Sequence, residues 1–594
     1  MKPPSSAPPT APNLLPSRLI CYDKAMKQQL ELAIAAIITE LYDVDSTVEL
    51  TRTEPKFGDY ATNVALQLTK QIGKPPREIA SELRAKLAVE QADTLAEVQI
   101  AGPGFINLTL TDAALLSSVI TACPQINANQ KVLLEYSCPN AFKELHTGHL
   151  YQTVVGDAIG RLLTASGAEV YRANFGGDVG LHVAKCLYAI QKQIADDTQV
   201  LTTVPEAERP RWISAAYVAG ASAFETDEAA KAEITAINAQ IYEFHANDDH
   251  DSPLAQIYWQ CRGWSYDYFK TFYESVDVSP FDKYYPESGT SERGLAVVKA
   301  NLDTVFTNSD GAVVYKGEEA GLHTRVFITS KGLPTYETKD LGVIYNEVDD
   351  FKYDRRIIMT GNDQLQYMQV VFAALNAIDP DLAAKQNHLT NGTIRFGSGL
   401  KMSSRLGNVT RAADVLKAVG QAATAGDEIT KRLVTLGAIK YSFLKHRLGS
   451  DIAFDVNESV SLEGNSGPYL QYALARAASI LVKAGYSPEQ VDAVLAANVS
   501  DVTILDSPLE PGERLLIRKL SEYQEVIYKS IIELLPHQIC NYLYELAQEF
   551  NRFYEQNRVI GNDRQALRLQ LLESYAQTLY QGLTLLGIPT PQKM

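Results

Sequence analysis

A strand, a helix and a second strand follow one another between residues 131 and 175, and this order strongly limits the fold. The run "KVLLEYS" (131–137) is short and mostly apolar, as strands buried in parallel sheets are. In the following "HLYQTVVGDAIGRLLTASG" apolar residues recur approximately on one helical face. The segment "EVYRANF" (169–175) then predicts the next strand. Two parallel strands joined by a helix predict a doubly wound α/β sheet.

The rest of the chain divides around this region, as a length of 594 residues already indicates. A helical stretch at about 190–275 predicts an insertion within the α/β domain, and strand-like segments return after it. The expected domains are a flexible Pro-rich tail at 1–17, native or not, a small α+β domain at 18–125, the α/β domain at 126–455 and a helical domain at 456–594.

The composition excludes several classes of protein. Apolar content of 46% and charged content of 21% are typical of globular chains. We find no apolar run that predicts a membrane span and no signal-peptide core, so no membrane partner is expected. The six cysteines form no CxxC pair, which argues against a zinc knuckle or a disulfide framework and suits the cytoplasm. A net charge of −17 does not exclude nucleic acid, because binding depends on the local field.

The segment "HTGH" (146–149) lies where the first strand gives way to its helix. In parallel sheets ligands bind beyond the carboxyl ends of the strands, and a helix N-terminus suits phosphates. Gly148 leaves room for a flat base, and His146 and His149 can donate hydrogen bonds to phosphate oxygens. Two surface histidines at a helix start are the alternative. A metal site is not predicted, because no third ligand stands at helical spacing.

A second glycine-rich segment, "GSGLKMSSRLGN", contains Lys401 and Arg405 and has its core at 399–408. Such a loop can close on a triphosphate and neutralise charge on the leaving pyrophosphate. Alone it is equally compatible with a surface turn. The chain has no Walker A motif that would offer a competing phosphate site.

Together the two motifs resemble the HIGH and KMSKS signatures of class I aminoacyl-tRNA synthetases. Further segments along nearly the whole chain after the tail are similar to those of arginyl-tRNA synthetases. They are "EYSCPNAFKELHTGHL", "FGGDVG", "FDKYYPES", "LPTYETKDLGVIY" and "GNSGPYLQYALAR", with "FGDYATNVA" and "GPGFINL" near the N-terminus and "PHQICNYLYELAQEFNRFY" and "LTLLGIPTPQKM" near the C-terminus.

The resemblance implies a Rossmann-like doubly wound catalytic domain between a small α+β tRNA-contacting domain and an all-α anticodon-binding bundle. It implies an arginine–tRNA ligase, which activates L-arginine with ATP to arginyl-adenylate and pyrophosphate and transfers arginine to the 3′ end of tRNA(Arg). It further implies activation that depends on tRNA, ATP with Mg²⁺, no zinc, and a cytoplasmic monomer.

The resemblance also implies roles for the two signature motifs. His146 and His149 would contact ATP and stabilise the transition state, and Lys401 would bind the departing phosphates. Gly148, Met402 and Ser403 would complete the ATP site. The second lysine of KMSKS is here Ser404, followed by Arg405. Lys143 or Arg405 could supply the missing cation, or Lys143 is only a solvated loop residue.

For arginine, the resemblance assigns the guanidinium to Asp340, because a carboxylate matches its fork of donors. Tyr336 would form a wall of the pocket. Glu135, Ser137, Asn140 and Gln364 match further substrate-contacting positions. The structural alternatives are a helix-capping Asp340, a core Tyr336 and a surface Gln364.

For tRNA, the segment "KRLVTLGAIKYSFLKHR" has five cations and no acid. As a helix it places Arg432, Lys440 and Arg447 on nearly one stripe, either a phosphate track or a solvated basic face. By resemblance, further tRNA contacts would come from aromatic and polar residues that could instead be core or turn residues. They are Phe57, Tyr60 and Asn63 near the N-terminus and Tyr469, Tyr472, Arg476, Tyr544 and Asn551 near the C-terminus.

Three rival functions are less compatible with these motifs. A noncatalytic RNA-binding paralogue would be expected to lose His146, His149 or Lys401, and all three are present. A small-molecule nucleotidyltransferase does not need the flanking domains. A cysteine-specific synthetase would need zinc ligands, which the sequence does not suggest.

Overall fold

The computed structural model describes residues 26–195, 197–396, 411–424, 426–497 and 507–594. Together they form two compact units. The first comprises residues 26–119 with 507–521, and the second comprises 120–497 with 522–594, as far as these are described. A search of the described helices finds none with the length and apolarity that crossing a membrane requires.

The first unit is an antiparallel sheet in the strand order β1-β2-β4-β3 with helices packed against it. Its elements up to residue 117 are α1 (Met26–Tyr42), β1 (Thr51–Arg52), β2 (Tyr60–Thr62), α2 (Val64–Ile72), α3 (Pro76–Glu90), β3 (Leu95–Ala101), β4 (Phe105–Leu110) and α4 (Asp112–Ser117). A helix from much later in the chain, Pro511–Leu520, completes the unit. Its Arg514 makes 2.7 Å ion pairs with Asp59 and with Asp112.

The second unit contains all the remaining strands. They are β5 (Lys131–Glu135), β6 (Glu169–Gly176), β7 (Lys283–Pro286), β8 (Thr307–Ser309), β9 (Ala312–Tyr315), β10 (Arg325–Ile328), β11 (Arg355–Gly361), β12 (Gln386–Asn391), β13 (Ile394–Phe396) and β14 (Ile452–Phe454). Five of them form a wholly parallel sheet in the order β12-β11-β5-β6-β7. Strands β8, β9 and β10 form a separate antiparallel sheet, and β13 pairs with β14.

Helices from α5 to α14 complete the α/β domain. They are α5 (Thr147–Ala165), α6 (Leu181–Ile194), α7 (Arg209–Thr226), α8 (Glu228–Ala246), α9 (Pro253–Ser275), α10 (Glu287–Ala300), α11 (Tyr336–Asp350), α12 (Leu365–Ile378), α13 (Pro380–Ala384) and α14 (Ala412–Ala422). Short 3₁₀ helices occur at Pro55–Phe57, Thr198–Thr203, Glu206–Glu208, Glu318–Ala320 and Asn362–Gln364.

The region after α14 is almost wholly helical. It comprises α15 (Glu428–Leu444), α16 (Val456–Ser459), α17 (Gly467–Lys483), α18 (Pro488–Ala496), α19 (Pro511–Leu520, the helix of the first unit), α20 (Tyr523–Glu533), α21 (His537–Gln556) and α22 (Gln565–Leu585). The predicted doubly wound sheet, the α+β N-terminal region and the C-terminal helices are therefore confirmed.

Strand β5 is the centre of the parallel sheet, with β11 on one side and β6 on the other. Its Val132, Leu133 and Leu134 are all fully buried, because helices cover both faces of the sheet. Helix α5 packs closely on the end of this strand. A Cβ at Gly156 of α5 would lie 2.2 Å from the Tyr136 ring, so only glycine permits this approach.

The predicted insertion is a set of helices with an apolar core of its own. Helices α6 to α9 contribute its buried residues, among them Ile190, Ile237 and Tyr258. Ala141 and Phe142, from the loop that connects β5 to α5, belong to the same core. The insertion is therefore packed directly against the loop that precedes the HTGH turn.

Candidate active site

A cavity of about 560 Å³ lies at the carboxyl ends of β5, β6 and β11. In a doubly wound sheet this is where the strand order reverses and ligands bind. The cavity is lined by Glu135, Cys138, Asn140, Phe175, Gly177, Glu287, Arg325, Tyr336, Glu337, Asp340, Ile358, Met359, Thr360, Asp363, Gln364, Tyr367 and Met368. Five of these residues are carboxylates and one is a cation, so the cavity suits a positively charged ligand.

The HTGH turn forms the N-terminus of α5. His146 is the N-cap residue, and its Nδ1 accepts a hydrogen bond from the Gly148 N–H at 3.0 Å. His149 Nδ1 accepts from the His146 N–H at 3.2 Å. The two imidazoles stack with their centroids 3.8 Å apart. Both Nδ1 atoms are therefore occupied by backbone donors.

This geometry fixes the state of both imidazoles. Burial lowers the pKa of His146 and lowers that of His149 strongly, and the nearby Lys143 ammonium lowers both further. The rings are thus neutral near pH 7, and each holds its proton on Nε2 because Nδ1 is an acceptor. Two adjacent N–H donors at a helix N-terminus can bind phosphate oxygens and charge that develops on them.

Asp340 is the most distinctive carboxylate of the cavity. It is 7% exposed and accepts a hydrogen bond from the Tyr367 hydroxyl, a neutral donor. Across the described ranges no cation lies within ion-pair distance of Asp340. Burial raises its pKa to about 8, and the charges of Glu135 and Glu287 contribute to the rise. A ligand cation would reverse this shift by pairing with the ionised form.

Three other buried carboxylates of the cavity already have cationic partners, and one of them is Glu337, which lies 3.6 Å from the Arg325 guanidinium. Glu287 forms a 2.6 Å ion pair with Lys339. Glu135 pairs with the guanidinium of Arg356, whose Nε also contacts Glu347 at 2.5 Å. In each pair the cationic partner balances the charge of the carboxylate, so the pairs shape the cavity and contribute to its electric field. Among the described residues, Asp340 is the buried carboxylate of the cavity that has no cationic partner.

Five of the six residues predicted to bind arginine line this one cavity. Glu135 and Asn140 come from the β5–α5 region, Tyr336 and Asp340 from α11, and Gln364 from the turn before α12. Tyr336 is 56% exposed and does not belong to the core. The placement brings the residues together, and their contacts with arginine stay a prediction.

Ser137 differs from the other five. It is fully buried, and its hydroxyl lies 2.9 Å from the Tyr273 hydroxyl and 2.8 Å from Thr153 Oγ1. The backbone at Ser137 has a φ of +71°, in the left-handed region. Ser137 is therefore joined to Thr153 of α5 and Tyr273 of α9 and does not line the cavity.

The structure also identifies lining residues that the sequence prediction did not name. Glu287 belongs to the quoted segment "FDKYYPES" and Glu337 to "LPTYETKDLGVIY", so the resemblance contained a signal for both. Arg325, at the start of β10, and Tyr367, in α12, lie in segments without such a signal. Only the fold brings them to the cavity.

Lys401, Met402, Ser403 and Arg405 lie outside the described residues. Arg411, the first described residue beyond them, forms an antiparallel bridge with His146. Its neighbour Ala412 donates a backbone hydrogen bond to Leu145 O at 2.9 Å. The chain that follows the KMSSR segment is thus attached to the HTGH turn.

Several of the predicted tRNA-binding residues form one cluster on α17 and α21. The Tyr469 hydroxyl accepts from Asn551 at 2.9 Å, and its ring packs edge-on against Tyr544. Arg476 is exposed beside Asn551, and its guanidinium lies 5.1 Å from the Tyr554 ring centroid. Tyr472, 43% exposed, lies on the same helix as Tyr469. The cluster offers aromatic faces and amide groups, which suit unpaired bases.

The predicted basic stripe is only partly at the surface. Arg432 and Arg447 are exposed. Lys440 departs from the prediction, because it is 1% exposed and its ammonium donates to Asp277 O and Gly587 O, both at 2.7 Å. Burial lowers the pKa of Lys440 to about 8. A side chain held in this way joins segments of the fold and does not reach a phosphate.

In the first unit, Phe57 and Asn63 are exposed and Tyr60 is not. Tyr60 is 1% exposed in β2, and the Arg52 guanidinium lies 4.3 Å from its ring centroid. A core strand residue of this kind cannot stack on RNA, so the prediction of a tRNA contact does not fit Tyr60. Phe57 and Asn63 stay candidates for such a contact.

Comparison with protein families covers almost the whole chain. Residues 24–110 match the family described as arginyl tRNA synthetase N terminal domain. Residues 111–456 match tRNA synthetases class I (R), catalytic domain, and residues 470–594 match the DALR anticodon binding domain. The chain belongs to the arginyl-tRNA synthetase family.

Individual relatives of the family align over nearly their full lengths. The arginine–tRNA ligase of Flavobacterium psychrophilum is 29% identical, with 96% of this chain and 100% of the relative covered. That of Thermobifida fusca is 30% identical, with 94% and 97% covered. The Thermus thermophilus arginyl-tRNA synthetase structure superposes with a TM-score of 0.76 at 26% identity, covering 96% of this chain and 100% of that one. The resemblance found in the sequence motifs is thus confirmed.

Proposed function

We propose that the acidic cavity beside the HTGH turn is the site where this family member activates arginine. The chain is an arginine–tRNA ligase: it joins L-arginine to AMP from ATP with release of pyrophosphate, and then transfers the arginyl group to tRNA. The observation that supports our assignment of the site is the buried Asp340 carboxylate, which faces an acidic cavity without a cation of its own among the described residues.

Asp340 binds the guanidinium of the substrate. The fork of N–H donors of a guanidinium matches a carboxylate bidentately, and a buried pair of this kind is strong when both partners are satisfied. Tyr367 orients the carboxylate through its hydroxyl, and Tyr336 covers the ligand from the open side. An uncharged or shorter amino acid would leave Asp340 buried without its counter-charge, which gives the site its selectivity.

The other end of the substrate reaches Asn140, Glu135 and Gln364. The Asn140 Oδ1 accepts from the Gly177 N–H at 3.2 Å, which fixes the side chain and directs its amide N–H₂ elsewhere. Glu135 is held by Arg356, so its orientation is set before the substrate binds. These groups suit the α-amino and α-carboxylate groups of an amino acid.

His146 and His149 bind ATP through their Nε2–H groups, while Gly148 allows the nucleotide to approach the helix. In nucleotidyl transfer, negative charge accumulates on the phosphate under attack, and preorganised donors stabilise it. Lys143 and the KMSSR residues Lys401 and Arg405 supply positive charge to the leaving pyrophosphate. ATP enters with Mg²⁺ as the counter-ion of its phosphates. The residues described contain no group of three side chains placed to hold a metal ion.

The tRNA contacts complete the proposal. The cluster of Tyr469, Tyr472, Arg476, Tyr544 and Asn551 receives unpaired anticodon bases, and Arg432 and Arg447 contact phosphates. Phe57 and Asn63 contact the tRNA elsewhere. We further propose that tRNA(Arg) is required for arginine activation, and that the protein acts as a cytoplasmic monomer.

The assignment is tested by Asp340→Asn, measured by arginine-dependent ATP–pyrophosphate exchange. We expect kcat/KM for arginine to fall by a factor of at least about 100, since the variant removes the charge and keeps the shape. Asp349→Asn is the matched control, because Asp349 lies on the same helix α11 but is exposed and paired with Arg293. Retained kcat/KM for arginine in Asp340→Asn would refute the assignment.

A further inference from the structure

We propose that helices α7 and α9 of the insertion act as a positioning device for the HTGH turn. They hold the loop of residues 136–146, which places Lys143 and His146, in its working conformation. The proposal rests on the proposed roles of those two residues. It assigns a function in catalysis to four insertion residues that do not line the arginine cavity: Ser214, Tyr217, Ser265 and Tyr268.

The loop has a backbone that its own sequence does not favour. Ser137, Cys138 and Phe142 have φ values of +71°, +45° and +65°, in the left-handed region that side chains rarely adopt. Non-glycine residues persist there when the surrounding structure determines their conformation. The source of that constraint lies in the helices of the insertion.

Three backbone N–H groups of the loop donate to side chains of these helices. Phe142 N–H donates to Ser265 Oγ at 3.0 Å, and Leu145 N–H to Tyr268 OH at 3.3 Å. Glu144 N–H donates to Ser214 Oγ at 3.0 Å. A loop within a protein must find acceptors for its N–H groups, and here the acceptors belong to distant helices. The loop conformation therefore depends on the insertion.

The spacing of the acceptors shows that each helix presents one face to the loop. Ser265 and Tyr268 are three residues apart on α9, and Ser214 and Tyr217 are three apart on α7. The Tyr217 ring lies 4.2 Å from the Lys143 ammonium, a cation–π contact. Each helix thus combines a hydroxyl that binds backbone with an aromatic residue that contacts the loop.

Apolar packing strengthens the same attachment. Phe142 is fully buried and stacks on Tyr258 of α9, with centroids 5.8 Å apart. Ala141 and Phe142 belong to the apolar core of the insertion. At the start of the loop, Ser137 contacts the hydroxyl of Tyr273, again on α9. The insertion therefore holds the loop at several points before His146.

The first test is the double variant Ser214→Ala/Ser265→Ala, which removes two acceptors and little volume. Its matched control is Ser222→Ala/Ser275→Ala. These two serines lie on the same helices, and both are exposed. We expect kcat for arginine-dependent ATP–pyrophosphate exchange to fall by at least about tenfold relative to the control. The KM for arginine should change less than kcat, because the substituted serines do not line the arginine cavity and only Cys138 and Asn140 of the loop do. The Tm should fall only slightly relative to the control, because two backbone N–H groups lose their acceptors while the apolar core of the insertion is kept.

A second pair of variants tests Tyr217. Tyr217→Phe keeps the ring beneath Lys143, and Tyr217→Leu removes it. We expect Tyr217→Leu to lower kcat while Tyr217→Phe retains it, a split that a merely structural role of the hydroxyl would not produce. This pair keeps the proposal testable if the double serine variant fails to fold.

Two results would overturn the positioning role. One is a kcat in the double variant within about threefold of the control, together with equal kcat in both Tyr217 variants. The other is a parallel loss of kcat, arginine binding and Tm, which would indicate general unfolding of the insertion. Failure of the proposed function looks different, because then the wild-type protein itself would show no arginine-dependent exchange.

Discussion

At the scale of single residues, Asp340 links the pH dependence of arginine binding to one carboxyl group. Burial raises its pKa to about 8, against an ordinary value of 3.8, and Glu135, Glu287, Arg356 and Tyr367 are the groups that surround it. In our proposal, arginine binds the ionised form. With a pKa of 8 the ionised fraction rises about 15-fold between pH 6.5 and 8, so the Kd for arginine should fall by about that factor.

The measurement is isothermal titration calorimetry in buffers of different ionisation enthalpy. We expect arginine to release nearly one proton at pH 6.5 and about half a proton at pH 8. Without arginine, the raised pKa of Asp340 stabilises the fold most at low pH, and this contribution to the free energy of unfolding is lost as the pH rises through about 8.

Because arginine binds more tightly at the higher pH, the rise in Tm that arginine causes should be larger at pH 8 than at pH 6.5. A Kd independent of pH would contradict this account.

Removal of the Tyr367 hydroxyl provides a second test of the pKa of Asp340. Its hydrogen bond lowers the pKa of Asp340 against the effect of burial. Tyr367→Phe should therefore shift the pH dependence of arginine binding to higher pH. A shift to lower pH, or none, would show that Tyr367 does not control the ionisation of Asp340.

Lys143 is the next residue whose role can be decided by substitution. Its ammonium lies close enough to His146 and His149 to lower the pKa of both, so it contributes positive charge where phosphates would bind. We expect Lys143→Ala to reduce kcat by at least about tenfold, with an unchanged KM for arginine, and Lys143→Arg to restore part of it. A kcat within about threefold of wild type, about 0.65 kcal/mol of barrier, would exclude the catalytic role.

At the residue level, a motif can indicate which side chains lie near a site, but it does not indicate which residues packing will bury. A carboxylate such as Asp340 was assignable from its motif, and the structure places it in the cavity. Lys440 and Tyr60 have polar groups but are buried by neighbours that are distant in the sequence. Helical spacing indicates which residues share a face, but not which face another element covers.

At the scale of elements, the start of α5 combines a structural with a chemical function. His146 caps the helix by accepting from Gly148 N–H. We propose that its Nε2–H donates to ATP. Asparagine is also a good N-cap residue but lacks the imidazole donor. His146→Asn should keep the free energy of unfolding within about 0.5 kcal/mol of wild type, while His146→Ala loses about 1 kcal/mol. Both variants should lose most of the exchange activity.

The two measurements for this prediction are denaturant unfolding and ATP–pyrophosphate exchange. High activity in His146→Asn would mean that the cap, and not the imidazole, is what the site requires. Such a result would remove His146 from the chemistry and leave its structural role intact.

Helices and strands can be predicted from the sequence where their apolar residues form a clear periodic pattern or run. Long amphipathic segments such as α1 and the apolar β5 follow directly from periodicity. Strands β7 (Lys283–Pro286) and β12 (Gln386–Asn391) have no such signal, because their polar and aromatic residues form no alternating or apolar run. Helix α19 packs with the first unit through Arg514, and no local signal indicates that partner.

At the scale of the whole molecule, the acidic residues of the cavity and the exposed basic residues lie on different surfaces. The net charge is −17, and the residues that line the proposed arginine cavity include five carboxylates and one cation. We expect such a cavity to attract a cationic amino acid, and we propose the exposed Arg447 and Arg476 for contacts with tRNA. Arg432 is also exposed, and its guanidinium donates to Glu274 O at 3.1 Å. In this proposal the two ligands meet surfaces of opposite sign on one acidic protein.

The most direct test of the account is ATP–pyrophosphate exchange with each of the twenty amino acids, with and without tRNA(Arg). We predict exchange with arginine alone, and only when tRNA is present. Exchange with arginine in the absence of tRNA would contradict the proposed dependence on tRNA. Exchange with a different amino acid, or none with arginine under either condition, would contradict the central claim that the acidic cavity around Asp340 activates arginine.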